Sequence, residues 1–99
     1  MIKAGTRLRS QVCETQVINV KSAESLADLR AGGAPMVGID AEIAPHATLD
    51  PDFAGGSVLG KRYIGGGAEV LVTKAGRGTL SLGDAPLQLK EANPLPASD

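Results

Sequence analysis

Three short segments recur in the same order in the two halves of the chain, and this internal similarity restricts the possible folds more than any other feature. The segments are GTRL, QVI and GGAPM in the first half and GKRY, EVL and GDAPL in the second. Their starting positions are separated by 55, 53 and 51 residues, a drift that small changes in loop length would produce. The pattern predicts two related units, residues 1–38 and 60–90, with 39–59 as a linker loop and 91–99 as a tail.

Local patterns in both units predict short β-strands. TQVINV and AEVLVT are rich in β-branched residues, and TLSL and LQL alternate apolar with polar residues. GD and AGRG are turn candidates, so residues 61–90 are predicted to form a meander of four strands. SAESLADLRAGG leaves two interpretations open: a short helix capped by Ser22 and ended by Gly32, or a strand at DLRA that pairs back onto QVINV across a longer loop. We expect a mainly β, small antiparallel protein with one short helix at most.

Composition and length exclude several classes of protein. A unit of about 30 residues cannot bury an apolar face alone, so we expect the two units to share one core around a pseudo-twofold axis. Of the 99 residues only 2% are aromatic, and the net charge is −1, which disfavours binding to nucleic acid. The single cysteine excludes an internal disulfide. Because no apolar segment is long enough to span a bilayer, we expect a cytoplasmic protein without a membrane partner.

The first unit has the outline of a metal-binding knuckle. LRSQVCETQVINV places Cys13 between two short strands, and DLRAGGAPM closes the unit with a Gly-x-x-Met motif. Over residues 8–36 this outline resembles the desulforedoxin family, whose members are rubredoxin-like (zinc-ribbon-like) proteins. The resemblance implies two degenerate rubredoxin-like units, and it implies a covalent version of the homodimer that the family forms.

The metal site of that family does not carry over to this chain. The family holds one tetrahedral iron or zinc through four thiolates, and the resemblance places the four ligand positions at Ser10, Cys13, Ala31 and Gly32. A tetrahedral sulfur site needs four soft ligands, and only Cys13 has a thiol. The resemblance therefore implies the fold without its metal, and we expect no cofactor.

Three other features are candidate functional sites, and each also has a simpler explanation as an ordinary part of the structure. Cys13 is either a small buried side chain or a thiol whose pKa is lowered by Arg7, Arg9 or backbone amides. The segment around His46 is acidic but matches no calcium-loop spacing, which favours a solvated loop; its carboxylates are Asp40, Glu42, Asp50 and Asp52. YIGGGAE precedes a predicted strand rather than a helix, which indicates a hairpin and not a phosphate-binding loop.

Basic residues occur near matching positions of the two units and suggest a face for an acidic partner, although a solvated strand face is the simpler alternative. These residues are Arg7, Arg9, Lys61, Arg62, Lys74 and Arg77. The chain shows no assembled nucleophile, acid–base pair or phosphate loop, so we do not expect an enzyme. The predicted function is a non-catalytic accessory or protein-interaction module, with a protein partner or a homodimer. The alternative is a metal-binding or redox protein that uses Cys13, within one chain or across a homodimer.

Overall fold

The computed structural model describes residues 2–44 and 46–90, and the predicted tail, 91–99, lies outside them. The protein is mainly β, as predicted, and these residues form ten short strands in antiparallel pairs. The strands are β1 (Arg7–Arg9), β2 (Gln16–Lys21), β3 (Leu29–Ala31), β4 (Ala34–Pro35), β5 (Val37–Gly38), β6 (Arg62–Gly65), β7 (Ala68–Lys74), β8 (Leu80–Leu82), β9 (Ala85–Pro86) and β10 (Gln88–Lys90).

The strands form two sheets that share one core. The six-stranded sheet has the order β10-β6-β7-β2-β1-β5, and the four-stranded sheet has the order β4-β3-β8-β9. Alternating residues of each sheet point inward, as the period of two along a strand requires. The buried apolar residues are Leu8, Val17, Leu26, Leu29, Ala31, Ala68, Val70, Val72 and Leu80. Aliphatic side chains thus form the buried centre, and Tyr63 packs against it only in part.

The two halves of the chain occupy equivalent places in both sheets. When each of β1–β5 is exchanged with its counterpart in β6–β10, in chain order, each sheet keeps the same strand order, read from the opposite edge. The two central strands of each sheet are counterparts that pair with each other, and Ile18 lies opposite Leu71 while Arg30 lies opposite Ser81. Hydrogen bonds repeat the relation: the Gly32 amide donates to the Thr79 carbonyl (3.0 Å), and the Gly83 amide donates to the Asp28 carbonyl (2.9 Å). A pseudo-twofold axis therefore passes between the central strands of both sheets.

The segment with two open interpretations contains both elements. A 3-10 helix spans Glu24–Asp28 and buries Leu26, and β3 follows it directly, so the helix does not extend to Gly32. The predicted pairing of this strand with QVINV was wrong, because β3 pairs with β4 and β8. The predicted cap was wrong, because Ala23 is the N-cap and makes no side-chain cap bond. The hydroxyl of Ser22 instead donates to the Ile2 carbonyl, which ties the start of the described chain to the end of β2.

The meander predicted for 61–90 was incomplete. This region has five strands, and β8 and β9 belong to the four-stranded sheet rather than to the sheet of β6, β7 and β10. The Gly83–Asp84 turn joins β8 to β9 as predicted. Leu87 marks the change of sheet, and its amide still donates to the Leu80 carbonyl (2.9 Å).

The segment 39–59 wraps around the fold. The Asp50 amide donates to the Gly32 carbonyl (2.9 Å), and the Thr79 amide donates to the Phe53 carbonyl (2.7 Å). A second 3-10 helix, Pro51–Phe53, is capped by the Asp50 side chain. Neither 3-10 helix of the described chain is long or apolar enough to cross a bilayer. The segment thereby covers the β3–β4 turn and the region that precedes β8.

Candidate functional site

The outward face of the six-stranded sheet collects most of the basic charge of the protein. Six of the ten basic residues occupy outward positions of this sheet, namely Arg7, Arg9, Lys21, Arg62, Lys74 and Lys90. Glu69 is the one acidic residue at an outward strand position among the described residues of this sheet. We call this surface the basic face.

The centre of the basic face is apolar. Ile18 and Leu71 lie opposite each other on the pseudo-twofold axis, and both side chains are partly exposed. Arg7 lies opposite Ile18 on the outer side, and Arg62 lies opposite Leu71. The row ends at Lys90, which pairs with Arg62. An aliphatic pair is therefore flanked by an arginine on each side, an arrangement suited to binding an apolar group beside an anion.

Glu69 offsets only one of the six positive charges of the basic face, and its carboxylate lies between two of the basic side chains. Its carboxylate accepts hydrogen bonds from Lys90 Nζ (3.0 Å) and Arg62 Nη1 (3.1 Å). The hydrogen bond from Lys90 is the main cause that holds the pKa of Glu69 below its ordinary value; partial burial opposes the shift, and the charge of Lys90 together with Arg62 adds to it. Glu69 is thus ionised at neutral pH, and the face keeps a net positive charge.

The structure brings together four of the six basic residues that the sequence singled out. Arg7, Arg9, Arg62 and Lys74 lie on the basic face, although the Arg9 guanidinium is partly covered by the Ala41 carbonyl to which it donates. Lys61 precedes β6, and Arg77 lies between β7 and β8, so both are outside the strands of the face.

Sequence reasoning missed Lys21 and Lys90. A β-bulge between Asn19 and Lys21 shifts the alternation of β2 and turns Lys21 to the side of Ile18. The equivalent bulge in β7, between Val72 and Lys74, does the same for Lys74. Simple alternation cannot reveal such a shift. Lys90 directly follows the predicted strand LQL, and its place opposite Arg62 depends on the long-range pairing of β10 with β6.

A second candidate region lies in the loop from Ser10 to Thr15, between β1 and β2. The buried Ser10 hydroxyl oxygen accepts hydrogen bonds from the amides of Val12 (3.1 Å) and Cys13 (3.2 Å). These bonds fold the loop so that Cys13 Sγ lies 3.2 Å from both Ser10 Oγ and Thr15 Oγ1. The half-buried thiol therefore has a hydroxyl group on each side.

This environment stabilises the thiolate. Burial alone would raise the pKa of Cys13, but hydrogen bonding with the Ser10 and Thr15 side chains and with the Thr15 and Gly78 backbones holds the pKa below its ordinary value. Of the predicted causes, the arginines do not contribute, because Arg7 and Arg9 project from the basic face, whereas backbone groups of Thr15 and Gly78 do contribute. The side chains of Ser10 and Thr15, which the prediction did not include, have the larger effect.

The four positions that the family resemblance singles out lie around Gly78. Ser10 and Cys13 are in contact through their side chains. The backbone of Gly78 helps to lower the pKa of Cys13, and Gly78 also packs against the backbone of Ala31 and Gly32, since a Cβ added to Gly78 would lie 2.6 Å from the Gly32 nitrogen. One thiol, one hydroxyl and two positions without a donor atom do not fit a tetrathiolate metal.

The two remaining candidate segments are the acidic segment around His46 and the glycine-rich segment YIGGGAE. His46, Asp40 and Glu42 are exposed, and the described residues contain no cluster of three or more His, Cys, Asp or Glu side chains that could hold a metal ion. Gly66 and Gly67, with φ of 55° and 83°, form the two-residue turn between β6 and β7. The prediction of a hairpin is therefore confirmed.

Comparison of the chain with models of protein families, with curated proteins and with solved structures found no match. The basic face and the Cys13 loop are therefore the features of this chain from which a function can be inferred.

Replacing Ser10 with alanine should raise the pKa of Cys13, because the variant loses the side-chain hydrogen bond that lowers it most. The rate of alkylation by iodoacetamide as a function of pH measures this pKa directly. The rate should rise at a higher pH in the variant than in the parent protein, and alkylation at pH 7 should be slower. Ser57→Ala, distant in sequence from the loop, is the control, and identical profiles for Ser10→Ala and the parent would contradict the assignment.

Proposed function

We propose that the protein is a non-catalytic interaction module that binds an acidic protein partner through the basic face. The observation that carries the proposal is the concentration of six basic residues around a partly exposed aliphatic centre on one sheet. Complementary charge steers association and selects the partner, and a desolvated apolar centre supplies much of the affinity.

The apolar centre favours a protein over a nucleic acid. Proteins that bind single strands stack bases on aromatic side chains, and the aromatic residues Phe53 and Tyr63 do not occupy outward positions of this sheet. Ile18 and Leu71 would face an apolar side chain of a partner, while Arg7 and Lys74 would face its carboxylates. A second copy of the chain presents the same positive charge, so face-to-face association of two copies is disfavoured.

We further propose that the fold is a rubredoxin-like scaffold of two degenerate units that no longer holds a metal. The pseudo-twofold relation of β1–β5 to β6–β10 supports the interpretation as two related units. The placement of Ser10, Cys13, Ala31 and Gly32 around Gly78 supports it as well. A scaffold of this kind provides a rigid sheet for a binding surface.

Charge reversal at two exposed positions tests the proposed function. The probe is a capped acidic peptide in which leucines alternate with glutamates, and binding is followed through the methyl resonances of Ile18 and Leu71. Arg7→Glu combined with Lys74→Glu should weaken binding by about tenfold or more, because two attractive charges become repulsive. Salt should weaken binding of the parent protein, as it screens exposed charges.

Lys61→Glu combined with Arg77→Glu is the matched control, since it makes the same change in net charge outside the strands of the face. Equal losses in the two double variants would show a general charge effect and contradict a specific face. Polyglutamate and a short DNA duplex test the alternatives: tighter binding of DNA than of the leucine-containing peptide would overturn the choice of a protein partner.

A second candidate function uses Cys13 as a metal ligand or redox thiol, within one chain or across a homodimer. The specific observation in its favour is the set of hydrogen bonds that stabilises the thiolate. Native mass spectrometry of protein purified without chelator distinguishes the two functions. A dimer that carries one metal and is lost on Cys13→Ala would support the second candidate, and a metal-free monomer would oppose it.

A further inference from the structure

A cavity of about 570 Å³ lies beside the β6–β7 hairpin, at one end of the basic face. Its walls include Ile64, Leu82 and Leu87, and Pro86, Lys21 and Glu69 also line it. We propose that this cavity binds a short acidic peptide segment of a protein partner, with a side-chain carboxamide at Pro86 and a carboxylate at Lys21. The inference rests on the proposed function and identifies the segment that the partner inserts.

The first half of the molecule shows how such a space is filled. Between β1 and β2 the chain forms the six-residue loop 10–15, whereas the equivalent strands β6 and β7 are joined by Gly66 and Gly67 alone. The pseudo-twofold axis relates this loop to the region of the cavity. The longer loop therefore serves as a template for a ligand of the second half.

One hydrogen bond of the loop 10–15 indicates where the carboxamide of a ligand would bind. Gln11 Nε2 donates to the Pro35 carbonyl at 2.7 Å, which places the glutamine side chain on the β4 strand. The counterpart of Pro35 is Pro86, in the same position of the equivalent strand β9, and Pro86 lines the cavity. Among the described residues no side chain donates to the Pro86 carbonyl, so a ligand carboxamide can do so.

An ion pair of the same loop indicates where the carboxylate of a ligand would bind. Glu14 Oε1 lies 3.6 Å from Lys74 Nζ, at the end of the same loop. Lys74 is opposite Gln16 and Lys21 is opposite Glu69, so the pseudo-twofold axis relates the two lysines. Glu69 bonds to Lys90 and Arg62, and Lys21 makes no ion pair within the described ranges. A ligand carboxylate would complete the charge pairing that Glu14 provides in the first half.

The walls between these two points require an apolar group. In the template, Val12 lies between Gln11 and Glu14 and packs over Gly32, because a Cβ added to Gly32 would lie 2.7 Å from Val12 Cγ2. In the cavity, leucine and isoleucine side chains provide the corresponding apolar surface. The volume falls within the range of about 300–1,000 Å³ that is usual for ligand pockets. The expected segment is Gln-Val-x-Glu or a close equivalent.

The test uses the capped peptide Ser-Gln-Val-Ser-Glu, which reproduces the template loop with serine in place of its cysteine. Amide resonances of Gly65, Gly66 and Gly67 should shift on titration of the full chain. A peptide with glutamine in place of its glutamate should bind about threefold to tenfold more weakly, the usual effect of one partly exposed ion pair with a hydrogen bond. In the variant Lys21→Met the two peptides should bind equally.

Two further measurements keep the outcome unambiguous. Ala85→Phe fills the cavity from an exposed strand position and should abolish the shifts, with folding verified by the unchanged amide spectrum elsewhere. Lys61→Glu combined with Arg77→Glu should leave binding of the short peptide unchanged, because both residues lie outside the strands of the basic face and outside the cavity lining. Undiminished binding by Lys21→Met and by Ala85→Phe would overturn the inference. If the peptide of alternating leucines and glutamates does not bind while the short peptide still does, only the proposed function is overturned.

Discussion

Replacing Gly78 with alanine is expected to destabilise the protein by about 3 kcal/mol, because overpacking against backbone cannot be relieved by a rotamer change. A Cβ at this position would lie 2.6 Å from the nitrogen and 2.8 Å from the Cα of Gly32. Both atoms belong to the turn between β3 and β4, which is held by the Gly32–Thr79 hydrogen bond. The variant must therefore separate the two halves of the four-stranded sheet at their contact.

Urea denaturation at pH 7 measures the free energy of unfolding of the Gly78→Ala variant. Gly38→Ala is the matched control: Gly38 lies in β5, its φ is not positive, and a Cβ there meets no atom within 4 Å. The control should stay within about 1 kcal/mol of the parent protein. Equal stability of the two variants would contradict the close packing of Gly78 on Gly32.

The same variant should also change the chemistry of Cys13. The Gly78 backbone is one of the groups that lower the pKa of the thiol, so movement of Gly78 should raise that pKa. A cysteine with a lowered pKa adds stability above its unfolded-state pKa, and this contribution is lost as pH falls through the folded-state pKa. The difference in stability between the parent and Gly78→Ala should consequently grow as pH rises through that window.

The sequence predicts the strands of this fold better than their arrangement. The matching segments around Gln16 and Glu69 lie in β2 and β7, which pair across the pseudo-twofold axis. GGAPM and GDAPL lie at the turns that lead into β4 and β9. Such elements follow from local composition, because β-branched residues favour strands and Gly with Pro favours their ends.

The assignment of strands to sheets did not follow from the sequence. Leu87 is a single residue between β9 and β10, yet the chain passes from one sheet to the other there. The bulge before Lys21 likewise depends on the pairing of β2 with β7 and reverses the side on which the lysine lies. Both features are set by contacts distant in sequence, so a local pattern cannot reveal them.

The candidate site was predictable only in part for the same reason. The resemblance placed Ser10 and Cys13 together, and their side chains are in contact. Gly78, whose backbone helps to lower the pKa of Cys13 and which packs on Gly32, comes from the second half of the chain, and no pattern near Cys13 indicates it. Arg9 is one of the groups that the sequence offers for lowering that pKa, but its guanidinium donates to the Ala41 carbonyl.

Introducing thiols at the positions that the resemblance identifies is expected to create a metal-binding site. Ser10→Cys combined with Ala31→Cys gives three thiols, with Cys13 as the third, and Gly78 lies against the backbone of Ala31 and contributes to the environment of Cys13. Sulfur atoms bound to tetrahedral zinc lie roughly 3.7 Å apart, given bonds of ~2.3 Å, and Ser10 Oγ already lies 3.2 Å from Cys13 Sγ. Three sulfur ligands and water complete a zinc coordination shell.

Zinc should stabilise this variant by about 4 kcal/mol when its free concentration is a thousand times the Kd, and a chelator should reverse the effect. Thermal unfolding with and without zinc measures the gain, and cobalt absorption reports the number of thiolate ligands. Ser10→Cys combined with Ser25→Cys is the control, because it also has three thiols but places one beside Gly66, at the other hairpin.

The control should gain no stability from zinc, since its third thiol cannot reach the pair at residues 10 and 13. If the Ala31 variant behaves in the same way, Ala31 does not occupy a former ligand position and the rubredoxin-like origin of the scaffold is wrong. If zinc stabilises only the Ala31 variant, the scaffold retains the geometry of a metal knuckle from which the ligands alone have been replaced. The proposed role of the basic face does not depend on either result, because that surface lies on the outward side of the six-stranded sheet.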